Sequence, residues 1–92
     1  MTNLSYSEFI RELPDYWEVD FEVAGKNFHY ERAGNHPKET WIIYLSGPNG
    51  EMLFHEEGSN PMLMIQKVLT LKLLDGKTLQ ELWDQAEITN LI

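Results

Sequence analysis

Two short patterns in this 92-residue chain hold side chains that can bind metals or move protons. His29-x-Glu31 and His55-x-Glu57 each set an imidazole and a carboxylate on one face of an extended strand, the donor types of zinc and iron sites. All donors of such a site must reach about 2 Å from one ion. If the two patterns lie on the second and fourth strands of a meander, about 9.6 Å separates them. They then do not converge, and the sequence predicts neither a metal nor a cofactor. Motifs for covalent or phosphoryl chemistry are missing: there is no GxSxG elbow, phosphate-binding loop, GxGxxG or HExxH. The glycines of "SGPNG" lack the lysine and following helix of a phosphate cradle and read as a turn. No nucleophile, base and oxyanion donor come together, so the expected protein is not an enzyme.

A second cluster raises a different question. In "WEVDFEVAG", Trp17 to Gly25, one parity is Trp17, Val19, Phe21 and Val23, and the other is Glu18, Asp20 and Glu22. On one strand, alternate carboxylates stand about 6.6 Å apart, within a Debye length of about 8 Å. The predicted hairpin places Asp20 opposite Glu31, a pairing disfavoured by a few tenths of a kcal/mol. It leaves Glu22 with His29 as the only available partner. Folding gains nothing from such a cluster. Edge protection and solubility explain single charges, whereas a stripe of acids beside a tyrosine-containing apolar patch has the composition of a protein-binding surface. The candidate partner-binding residues are Glu18, Asp20, Glu22, His29, Glu31, Ile42, Tyr44 and Leu53, with His55 on the same face.

Bulk charge points the same way. The chain carries 15 acids and 7 bases for a net charge of −8. Residues 1–60 hold eleven acids and four bases, and Glu12 to Glu22 has five acids and no base. Direct binding to nucleic acid, which needs cations to displace counterions, is not expected. A basic protein partner is. With no cysteine there is no disulfide, thiolate zinc site or thiol nucleophile. The start "MTNLSYSEFIREL" lacks the basic and apolar regions of a signal peptide, and no apolar run approaches bilayer length. A cytoplasmic protein with no membrane association is expected.

The elements that must position these residues are well marked. Residues 1–92 read as a single α+β domain of order α-β-β-β-β-α-α. Ser5-Tyr6-Ser7-Glu8 is a capping box, Leu4 and Phe9 suit a hydrophobic staple, and Pro14 ends the first helix. Gly25-Lys26 suits a two-residue turn that sets Val23 against Phe28, and Gly47-Pro48-Asn49-Gly50 a second turn that sets Leu45 against Met52. "AGNHPKE" is a loop between the hairpins. Asn60 and Pro61 open a second helix with Gly76 as its stop, Lys72 in its last turn, and a broad apolar arc that includes Met62, Met64 and Leu71. Thr78 to Glu81 is another capping box, opening a third helix on Leu79, Leu82, Trp83 and Ala86, and "ITNLI" extends that helix or forms a strand. Trp41 and Trp83 are expected in the core and Trp17 half-buried. The predicted fold is a four-stranded antiparallel meander with one N-terminal and two C-terminal helices packed mainly on one face.

In size, charge and layout over its whole length, the chain resembles small, acidic, cysteine-free antagonists of phages and mobile elements, such as anti-CRISPR and anti-restriction proteins. That resemblance implies an inhibitor whose carboxylates occupy a basic surface built to hold nucleic acid, for example on a nuclease; the residues of the face themselves suggest steering by the acidic stripe, then anchoring by Tyr44 and its apolar neighbours. The alternative expectation is a structural or homo-oligomerising domain, in which the Ile42/Tyr44/Leu53 face or the helix around Met64 and Leu71 forms a homodimer seam.

Overall fold

Ser5 starts the first helix as its sequence dictates. Its hydroxyl accepts the Glu8 amide at 3.2 Å, and the Glu8 carboxylate accepts the Ser5 amide at 3.1 Å. In this computed structural model, which describes residues 4–35 and 39–92, helix α1 spans Tyr6–Glu12 and passes into a 3-10 turn over Leu13–Asp15 at Pro14. Seven helical residues do not sustain a helix in water. Phe9 and Leu13, both 2% exposed, supply the tertiary anchorage.

Five strands follow: β1 (Glu18–Val23), β2 (Lys26–Asn35), β3 (Thr40–Ser46), β4 (Met52–Gly58) and β5 (Ala86–Leu91). They form one antiparallel sheet in the order β4-β3-β2-β1-β5. The expected four-stranded meander is therefore present, extended by a fifth strand beside β1. The first hairpin is shifted by two residues from the expected pairing, and the second by two up to Leu45 and by one at Ser46. The first turns at Ala24-Gly25, with φ of 50° and 81°, the type I′ geometry that matches strand twist. Val23 then faces Lys26, and Asp20 faces His29 rather than Glu31. A two-residue shift preserves side-chain parity, so each residue of this hairpin keeps its predicted face. In the second hairpin Leu45 faces Phe54 and Ser46 faces Met52, leaving Leu53 as the extra residue of a bulge. The expected "AGNHPKE" loop is shorter than predicted, because Ala33–Asn35 continue β2; His36 to Lys38 lie outside the described residues.

The C-terminal half departs further from expectation. Helix α2 runs over Pro61–Leu69, capped by the Asn60 side chain on the Leu63 amide at 3.1 Å. It ends at Thr70, before Gly76, which instead forms a tight turn with Asp75 between bridged Leu74 and Lys77. Lys72 thus lies beyond the helix. The apolar arc looked too wide for one helix because Leu71, Leu73 and Leu74 reach the core from this non-helical segment, while Met62 and Leu63 stay half-exposed. The third helix is not formed. Its capping box exists, with the Thr78 amide donating to Glu81 at 2.9 Å, but only turns and a 3-10 turn at Trp83–Gln85 follow. Two tertiary demands end it: the Trp83 indole donates to the Leu4 carbonyl at 2.9 Å, and Ile88 pairs with Phe21 to cover the edge of β1.

The core lies between one sheet face and the helices. Val19, Phe21, Val23, Phe28, Tyr30, Ile43, Leu45 and Ile88 project from the sheet, against Phe9, Leu13, Met64, Ile65, Val68, Leu79 and Leu82. Trp41 and Trp83 pack on its margin, and Trp17 is 47% exposed. The Arg32 guanidinium lies over both the Trp17 and Trp41 rings, 5.1 and 4.8 Å from their centres, which are themselves 6.2 Å apart, and cation–π attraction holds it there. No helix among the described residues is long and apolar enough to cross a membrane.

Candidate partner-binding face

Strand parity determines the opposite sheet face. Because Val19, Phe21 and Val23 turn into the core, Glu18, Asp20 and Glu22 turn outward. The same alternation brings His29 and Glu31 from β2, Ile42 and Tyr44 from β3, His55 and Glu57 from β4, and Glu87 and Asn90 from β5 to this face. Both helices contribute their buried residues to the other side, so no helix among the described residues covers it. Seven of the eight predicted partner-binding residues share the face. Leu53 does not: its bulge redirects it, and it packs against the core. The expected apolar anchor therefore shrinks to Ile42 and Tyr44, both half-buried.

At the centre stands His29. Its Nδ1 lies 2.5 Å from Asp20 Oδ1, and its Nε2 lies 3.1 Å from Glu31 Oε1 and 3.9 Å from Glu18 Oε1. Tyr44 donates its hydroxyl to the same Glu31 oxygen at 2.8 Å, with its ring 5.9 Å from the imidazole. Asn90 adds a long contact to Asp20 at 3.4 Å. The expectation that folding gains nothing here is corrected by the register. Asp20 faces His29, and the imidazole Nε2 lies within 3.9 Å of both opposed carboxylates, Glu18 and Glu31.

The electrostatics follow from these contacts. Burial works against the His29 imidazolium, but hydrogen bonds to Asp20 and Glu31 and the charges of both outweigh it, and its pKa is raised. The Glu31 carboxyl is lowered, first by His29 and then by Tyr44. The Tyr44 phenol is pushed up to about 12, chiefly because its proton is held by Glu31. Even when protonated, His29 balances one of the three carboxylates around it. Among the described residues, no lysine or arginine forms an ion pair with Glu18, Asp20, Glu22 or Glu31. The stripe keeps a net negative charge.

Beside the network, a hollow of about 350 Å³ opens between Asp20, Asn27, His29, Ser46, Pro48 and Thr89. The far end of the face is separate: Ile42 faces Glu57, whose carboxylate accepts the Thr40 hydroxyl at 3.0 Å. His55 faces Tyr44 across β3 and β4, and the converging donor group comprises Glu18, His29 and Glu31 without it. Sequence reasoning missed Glu87, which faces Glu22, and Asn90. The alternation of Glu87, Ile88 and Thr89 was the available signal; of the two readings of "ITNLI", the strand is the one formed, and it begins two residues earlier, at Ala86. Glu18, His29 and Glu31 also place one donor atom each within 4.8 Å of one another, a convergence that the two-residue register error hid.

Compared with protein-family models, curated proteins and solved structures, the chain matches none.

Proposed function

We propose that this chain is a non-enzymatic protein-binding protein whose acidic sheet face docks on a basic, nucleic-acid-binding surface of a partner, in the manner of small phage or mobile-element antagonists. One observation carries the reading. Among the described residues, Glu18, Asp20, Glu22 and Glu31 share a sheet face that no helix covers, and their only cationic ion-pair partner is His29, which reaches Glu18, Asp20 and Glu31. Adjacent carboxylates at strand spacing produce a directional negative field that steers a positive partner. The hollow beside Asp20 and His29 presents both of these groups at its wall, and Tyr44, bound to Glu31, offers a rigid amphipathic contact on the same face.

The test is association kinetics. The partner captured from the native host should associate at least about tenfold more slowly at high salt than at low salt. Asp20→Lys with Glu22→Lys should abolish binding. Because Asp20 is tied to His29, the pair Glu22→Lys and Glu87→Lys serves as a second variant that reverses charge without touching the hydrogen-bonded network. Binding that is indifferent to salt and to both double variants contradicts the proposal.

A further inference from the structure

We infer that Glu18, His29 and Glu31 form a divalent-cation site that takes zinc or a similar first-row ion. Three donor atoms, one imidazole nitrogen and two carboxylate oxygens, lie within 4.8 Å of one another. Nε2 of His29 is 3.1 Å from Glu31 Oε1 and 3.9 Å from Glu18 Oε1. Tetrahedral zinc, with bonds of about 2.0–2.2 Å, holds its ligands about 3.3–3.6 Å apart. The existing spacings bracket that edge, and small carboxylate rotations bring the donors onto one ion.

The arrangement differs from a mere accumulation of acids in how its donors are held. Nδ1 of His29 is engaged by Asp20, which leaves Nε2 directed at Glu18 and Glu31. A carboxylate on the far nitrogen is the usual support for a metal-ligating histidine, because it fixes the ring orientation and raises the basicity of the ligand. Tyr44 supports Glu31 in the same way. The side chains of His29, Glu18 and Glu31 are 28%, 39% and 35% exposed, so water can complete the coordination from the solvent side. A mixed nitrogen and oxygen donor set favours first-row ions over magnesium and calcium, which prefer oxygen alone. The ion would take the place of the hydrogen bridging Nε2 and Glu31, which leaves to solvent.

The inference does not depend on the partner-binding reading, since the ion is measured on the protein alone. Isothermal titration of the chelator-treated full chain with zinc chloride should show one saturable site, with magnesium chloride giving none. His29→Gln and Glu31→Gln should each weaken zinc at least about tenfold, and Asp20→Asn by about tenfold through the lost support of the ring. Glu87→Gln, on the same face outside the cluster, should leave zinc affinity unchanged. Absence of saturable zinc uptake overturns the inference, as does uptake unaltered in His29→Gln. Should the His29 variant fail to fold, imidazole nitrogen resonances of the unaltered protein decide. Zinc should move the His29 Nε2 signal, and zinc that moves only another histidine overturns the site.

Discussion

His29 and Asp20 are directly opposed cross-strand partners whose Nδ1 and Oδ1 atoms stand 2.5 Å apart. The groups facing this imidazole are Glu18 and Asp20 from β1, Glu31 on its own strand and Tyr44 from β3. Its pKa is raised from 6.5, since hydrogen bonding to Asp20 and Glu31 overrides the opposing effect of burial. A group with a raised folded pKa stabilises the fold fully below its unfolded value and ceases to do so as pH rises through the folded value. In metal-free protein, the stability advantage over His29→Gln should be largest near pH 6 and shrink as pH climbs above the folded value. Denaturant unfolding at a series of pH values checks this. An advantage that grows with pH contradicts the assigned contacts.

Tyr44 controls the other end of the same network. Glu31 is lowered from 4.5 by His29 and, after it, by Tyr44. Removing the phenol hydroxyl in Tyr44→Phe should let the Glu31 carboxyl rise part of the way back, with the His29 contribution remaining. A carboxyl carbon titration followed by NMR measures the shift. An unmoved Glu31 means that the 2.8 Å hydrogen bond contributes nothing in solution.

Inside the core, the Tyr30 hydroxyl is buried without a hydrogen-bond partner among the described residues, and burial pushes its phenol up to about 12. An unsatisfied buried hydroxyl carries a desolvation penalty of about 1–3 kcal/mol. Tyr30→Phe should therefore stabilise the protein, by about 1 kcal/mol, or roughly 4–8 °C in Tm for a domain of this size. A clear loss of stability on calorimetry shows that the hydroxyl is paired in solution.

The first hairpin contains a correctable cost. Ala24 adopts φ of 50° in a two-residue turn, a left-handed conformation that disfavours alanine by about 1–2 kcal/mol and that asparagine tolerates. Ala24→Asn should raise stability by about 1 kcal/mol, whereas Ala24→Val should lower it. Equal midpoints for the three proteins in urea contradict the turn geometry.

These cases also show where the sequence was legible. Strand parity in β1 placed every apolar and acidic residue on its correct face, because a half-buried strand tolerates no other phase. Register was less legible: Ala24-Gly25 and Gly25-Lys26 both offer a hairpin turn, and parity cannot distinguish shifts of two residues. That ambiguity hid the contacts of His29 with Asp20 and of Glu18 with Glu31. Local signals also misled where tertiary pairing intervened. Thr78 and Glu81 form a capping box, yet the hydrogen-bonding edge of β1 draws residues 86–91 into a strand. Leu53 left the acidic face because a bulge, which has no periodic signature, lies beside it.

The proposed function requires that the charge of the sheet face direct association with a basic partner. Its most direct test is to measure the association rate of one captured partner with the unaltered chain and with Glu22→Lys/Glu87→Lys, across a salt series. A steep fall in rate with salt for the unaltered chain, and a slow, nearly flat dependence for the variant, is the predicted result. Identical rates and identical salt slopes for the two proteins would contradict the account.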